Sequence, residues 1–174
     1  MSHSAPSTRL FLVNSLKPIE VLIVESNPVD ALRTMTAFRA AGLNSGMHCV
    51  REGDDALSYL RREGPYKQAQ IPDLIFLDLA EPRVSGLLVL RVIRSTPALM
   101  HIPVVVAADA ENPGFVRAVY SSHGNGFIRK PAESIEFLRC IEACYDYWAE
   151  TVTLERQYQA AGRQAAQALA ETIM

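Results

Sequence analysis

Four positions in this sequence of 174 residues carry side chains that could do chemistry together: Glu25, Asp78, Asp109 and Lys130. A carboxylate such as Asp78 can attack phosphorus and become an acyl phosphate. Phosphoryl transfer asks mainly for positive charge around the transferred group and for correct placement. A hard divalent cation held by one or two carboxylates supplies the first charge. The flexible ammonium of Lys130 supplies a second. Singly, each of these is an ordinary loop residue. What makes them specific is their order along the chain, because each stands where an apolar run ends.

Those runs alternate with helical patterns. Glu20 to Glu25 (EVLIVE) is short, β-branched and almost continuously apolar, as expected of a strand buried on both faces of a parallel sheet. Asn27-Pro28 then caps a helix over 28–41, with Ala31, Met35 and Phe38 on one face and Gly42 at its end. Met47 to Arg51 is a weaker second strand. A second helix starts at Asp54 or Asp55, runs through Ala56, Leu57, Tyr59 and Leu60, and closes at Gly64-Pro65. Leu74 to Asp78 (LIFLD) is the third strand, and Gly86 to Ser95 the third helix, with Leu87, Leu90 and Ile93 inward. Pro103 to Ala108 is the fourth strand. Asn112-Pro113 caps a fourth helix, and Gly126 to Arg129 is a short fifth strand followed by Lys130-Pro131. Five such βα units predict an α/β fold with an open, doubly wound parallel sheet of five strands. Sites in such sheets lie beyond the carboxyl ends of the strands, at the point where strand order reverses. The loops after strands one, three, four and five therefore converge there.

Composition leaves room for a core: 49% of residues are hydrophobic, and the formal net charge is only -2. That balance gives no electrostatic footprint for nucleic acid or for an anionic membrane. No apolar run reaches the length of a membrane span. The short patch at residues 9–16 (RLFLVNSL) lacks the features of a signal peptide, so a cytoplasmic location is expected. Cys49, Cys140 and Cys144 do not form a disulfide framework and are expected as free, largely buried thiols. There is no GxGxxG after strand one, no P-loop and no nucleophile elbow, which disfavours an enzyme on this sheet.

The segments VLIVESNPVD, PDLIFLDLAEPRVSG, IPVVV and FIRKP resemble the response-regulator receiver family over residues 19–149. YLRREGPY and the helix ending DYW are similar to the single-domain regulators of cyanobacterial and bacterial phytochromes. The resemblance implies a flavodoxin-like (βα)5 fold and a phosphorelay function, with Asp78 as phospho-acceptor and Lys130 as its phosphoryl contact. It implies Mg2+ held by Glu25, Asp78 and the backbone carbonyl of Ala80, and a cis peptide before Pro131. It implies a sensor histidine kinase as partner, phytochrome-like for this subgroup. Three positions depart from the family pattern. Ser26 replaces the second of two adjacent acids, leaving a hydroxyl that could hold the cation only through water, so binding should be weaker. Ala108 replaces a hydroxyl that normally bonds the phosphoryl group and draws in an aromatic residue, here Phe127. Asp109 brings a negative charge where a small residue is usual, and it could repel a phosphorylated Asp78, point to solvent with little effect, or partly replace the missing ligand. The alternative to a working receiver is a pseudo-receiver that keeps the fold as an interaction module.

Residues 1–18 read as an N-terminal arm, and 150–174 as a helical extension on the strength of their Ala, Gln and Glu content. One stripe (Leu138, Ile141, Cys144 or Tyr145, Trp148, Val152) packs on the domain. A second (Leu154, Tyr158, Ala161, Ala165, Leu169) has no sheet left to cover, which predicts a homodimer.

Overall fold

The computed structural model describes residues 19–43, 46–79, 86–108 and 113–151. Along the chain lie β1 (Val21–Val24), α1 (Pro28–Ala40), β2 (Met47–Val50), α2 (Gly53–Arg61), β3 (Leu74–Asp78), α3 (Gly86–Ser95), β4 (Val104–Ala108), α4 (Pro113–Ser121), β5 (Gly126–Arg129) and α5 (Ser134–Tyr145). A 3-10 turn at Gly64–Tyr66 follows α2, and a π-helical turn at Asp146–Thr151 follows α5. The five strands form one parallel sheet in the order β2-β1-β3-β4-β5. The chain thus steps outward from β1 to β2, then crosses back to β3 on the other side, and the reversal point lies between β1 and β3.

Period-two alternation divides the apolar strand residues between two cores. Leu22, Val24, Ile75, Leu77, Val104 and Val106 face a cluster built with α2 and α3. Val21, Ile23, Leu74, Phe76, Val105 and Ala107 face a second cluster built with α1 and α5. The strands β1, β3 and β4 are buried throughout, which is why their sequences are apolar without alternation. Phe38 of α1 meets Phe76 of β3 edge-on at 5.7 Å, a geometry worth ~1 kcal/mol beyond the area it buries.

The helix phases differ slightly from the sequence expectation. In α1 the fully buried residues are Thr34, Ala37 and Phe38, while Ala31 and Met35 sit at the margin of the face. In α3 it is Val89, with Leu90 and Ile93, that is fully buried, and Leu87 is only partly so. The second helix ends on Arg62, whose backbone adopts the left-handed region (φ 57), two residues before the expected glycine. The cysteines are free, with Cys144 buried and the other two half-buried. The N-terminal arm and the second C-terminal stripe lie outside the described residues. Within these residues no helix is long and apolar enough to cross a membrane.

Candidate functional site

Register explains why the acids meet. Val24 pairs with Leu77, so the next residues, Glu25 and Asp78, leave neighbouring strands side by side. By alternation both belong to the face covered by α1 and α5. Glu25 is 2% exposed and Asp78 is 3% exposed, so both carboxylates are held away from water. Lys130 follows β5 and is equally buried, its backbone N–H donating to the carbonyl of Ala108 at 2.8 Å. Its ammonium donates to Glu25 Oε2 and stands 3.3 Å from Asp78 Oδ1. The strand-end residues Glu25, Asp78 and Lys130 are therefore brought together as the sequence predicts.

Two further residues, which the strand-end reading misses, join them from α1. Asn27 caps the helix by accepting from the N–H of Val29 at 2.9 Å and of Asp30 at 3.4 Å. This cap fixes the helix phase, and Asp30 in the first turn comes within 3.9 Å of the Lys130 ammonium. One turn on, Arg33 donates to the carbonyls of Pro131 and Ala132 and lies over the Phe137 ring at 4.5 Å. It ties α1 to the segment that carries Lys130. The signal available in the sequence was the cap itself, since Asn27-Pro28 sets which side chains of the first turns face back toward the strand ends.

The electrostatics arise from burial. Desolvation pushes the Glu25 carboxyl up to about 7, against the pull of its hydrogen bond from Lys130. Burial alone would lower Lys130, but the carboxylates beside it outweigh that and raise it, so it stays an ammonium. Asp78 Oδ1 is buried and accepts no hydrogen bond from the described residues, because the ammonium 3.3 Å away is not aligned for one. Among the described residues no three His, Cys, Asp or Glu side chains form a ready metal cage.

The remaining predicted positions are more dispersed. Ser26 is half-buried beside Glu25, and Ala108 closes β4 at 7% exposure. Phe127 is half-buried on β5, packed against the cluster under α2 and α3. Ala80 and Asp109 lie outside the described residues. The peptide before Pro131 is trans, contrary to the expectation carried over from the resemblance, as no cis bond occurs among the described residues. Trans is the lower-energy isomer of an X-Pro bond by about 0.5–1 kcal/mol, and here the carbonyls of Pro131 and Ala132 are both engaged by Arg33. Gly86 opens α3 directly against the end of β3: a Cβ there would lie 2.5 Å from the carbonyl oxygen of Asp78.

Residues 21–142 match the response regulator receiver domain model. The chain belongs to the response-regulator receiver family. Response regulator Rcp1 of Synechocystis sp. is 31% identical over 137 residues, 79% of this chain and 93% of that protein. The probable methanogenesis regulatory protein FilR2 of Methanothrix harundinacea is 35% identical over 75% of this chain and 84% of its own length. Among solved structures, the phosphorylated cyanobacterial phytochrome response regulator RcpA has a TM-score of 0.75 at 34% identity, covering 79% of this chain and 98% of that one. The Mn2+-bound form of Rcp1 has a TM-score of 0.74 at 31% identity, covering 79% and 99%. The fold is thus the flavodoxin-like receiver fold, and the chain is a receiver protein of two-component signal transduction.

Proposed function

We propose that this receiver accepts a phosphoryl group on Asp78 from a sensor histidine kinase. The single observation that carries this is Asp78 Oδ1, a buried carboxylate oxygen without a hydrogen-bond donor among the described residues, facing a lysine ammonium at the reversal point of the sheet. A carboxylate oxygen held in a low-dielectric site by an ion pair without an aligned hydrogen bond is costly, and such cost is retained where chemistry uses it. In the transfer, an Asp78 oxygen forms a bond to phosphorus while the phosphorus–nitrogen bond of phosphohistidine breaks and imidazole departs. Lys130 balances the charge developing on the phosphoryl oxygens. The residues also fit Mg2+: Glu25 and Asp78 offer two carboxylates on one face of the sheet, with the Ala80 carbonyl and a water on Ser26 completing the set by analogy. When bound, the cation would supply Lewis-acid neutralisation of the phosphoryl oxygens.

The relatives named for phytochromes make a light-sensing kinase the partner class we favour, in the cytoplasm, with the output delivered by protein contact. A homodimer is supported by a groove over β5 and α5, lined by Phe127, Cys140 and Trp148 together with Tyr120 and Tyr147, which are 53% and 54% exposed. Aromatic side chains of this kind are enriched at the centres of interfaces. Ala108 favours a second reading, a pseudo-receiver, because the strand end that should answer phosphorylation carries only a methyl group.

The test is intact mass after incubation with Mg2+ and acetyl phosphate, beside Asp78→Asn. We expect a gain of one phosphoryl group that needs both Mg2+ and Asp78. No gain at saturating Mg2+ would establish the pseudo-receiver instead.

A further inference from the structure

Three carboxylates, those of Glu25, Asp30 and Asp78, lie no more than 3.9 Å from one lysine nitrogen. One ammonium cannot balance them. Arg33 stands 3.9 Å from the far oxygen of Asp30, yet its other terminal nitrogen is committed to two backbone carbonyls. With Glu25 ionised, the cluster keeps an excess negative charge even with Arg33 counted in full. The buried Asp78 Oδ1, whose side chain is 4% exposed, has no hydrogen-bond donor among the described residues and faces into this cluster.

We propose that Asp30 is the second acidic ligand of the divalent cation in this receiver, standing in for the carboxylate that Ser26 lacks. This rests on the receiver reading above and deepens it by naming a residue that the strand ends do not supply. Three features of the fold support it. Asn27 caps α1 so that Asp30 sits in its first turn, one helical step from the strand end. The helix covers the same face of the sheet on which Glu25 and Asp78 emerge. The Asp30 side chain is 19% exposed, open enough to keep a water-bridged or direct contact with a cation that itself retains several waters. The three acids are gathered about the ammonium and not yet about a common point. Cation entry therefore goes with a shift of Lys130 away from Glu25 and Asp30, freeing both acids together.

The test is Mn2+ binding to the full chain, read from the free-ion signal in electron paramagnetic resonance and needing no phosphorylation. Asp30→Asn should weaken binding roughly tenfold, as expected for loss of one anionic ligand. Ser26→Asp added to Asp30→Asn should restore it, because the acid returns to its usual place. Glu63→Gln, an exposed acid after α2, should change nothing. Unchanged binding in Asp30→Asn overturns the proposal, as does an equal loss in Glu63→Gln or a wild type that binds no Mn2+. The acetyl phosphate experiment is read separately: phosphorylation of Asp78 with Mn2+ affinity indifferent to Asp30 would leave the receiver reading standing and remove this one.

Discussion

On the β1–α1 side of the pocket, Glu25 and Asp30 crowd the Lys130 ammonium with Asp78 close by, whereas on the β4 side the strand closes on the methyl group of Ala108. The first side is the one to which we assign uptake of a phosphoryl group. The second, in the family pattern, supplies the hydroxyl that turns uptake into a change of shape. Here the first keeps its charged groups and the second lacks its hydroxyl. Acceptance and response are separate physical tasks, one electrostatic and one a matter of a single hydrogen bond, and a chain can keep the first while altering the second.

The largest effect that would sharpen this contrast is expected at the lysine. Lys130→Met leaves buried carboxylates without their cation, and breaking a buried pair in this way costs ~3–5 kcal/mol. Urea unfolding at pH 8 measures it. A cost below about 1 kcal/mol, the range of exposed pairs, would mean that the acidic side is not organised around Lys130. Next comes the opposite side. Ala108→Thr should tighten binding of the phosphoryl mimic beryllofluoride about tenfold, from a charge-assisted hydrogen bond worth ~1.5 kcal/mol. Calorimetric titration against wild type decides it, and equal affinities would show that β4 has lost more than a hydroxyl.

The remaining effect is a pH dependence. Glu25 is raised from 4.5 to about 7 in the folded protein, so the folded state binds this proton more tightly than the unfolded chain does. Its favourable contribution is complete below pH 4.5 and is lost as pH rises through about 7. Wild type should therefore lose stability relative to Glu25→Gln between pH 5 and pH 8 in paired thermal scans. A difference that stays constant over that interval would place the charge strain elsewhere in the cluster.

Much of this could be read from residue order because a parallel sheet writes itself plainly: VLIV, LIFLD and VVVAA are apolar on both faces, and their carboxyl ends border the site. Glu25, Asp78 and Lys130 were legible for that reason. Asp30 and Arg33 were not, because a helix residue reaches the site only through the phase of its helix, and that phase depends on a cap and on the packing of Thr34, Ala37 and Phe38. The same dependence leaves Ala31 and Met35 at the margin of the inward face of α1, with Phe38 at its centre. Helix periodicity leaves a margin of one residue that packing settles. The cis bond before Pro131 came from resemblance alone, and nothing in the local residues had asked for it.

Gly86 sets a limit of a different kind. Its backbone is not left-handed, so the constraint there is one of space: any side chain would press on the carbonyl of Asp78 itself. A side chain at this position would displace the Asp78 backbone. The floor of the site is thus closed to any added side chain, and a substitution at Gly86 would be felt at the Asp78 backbone before it reached any other group of the pocket.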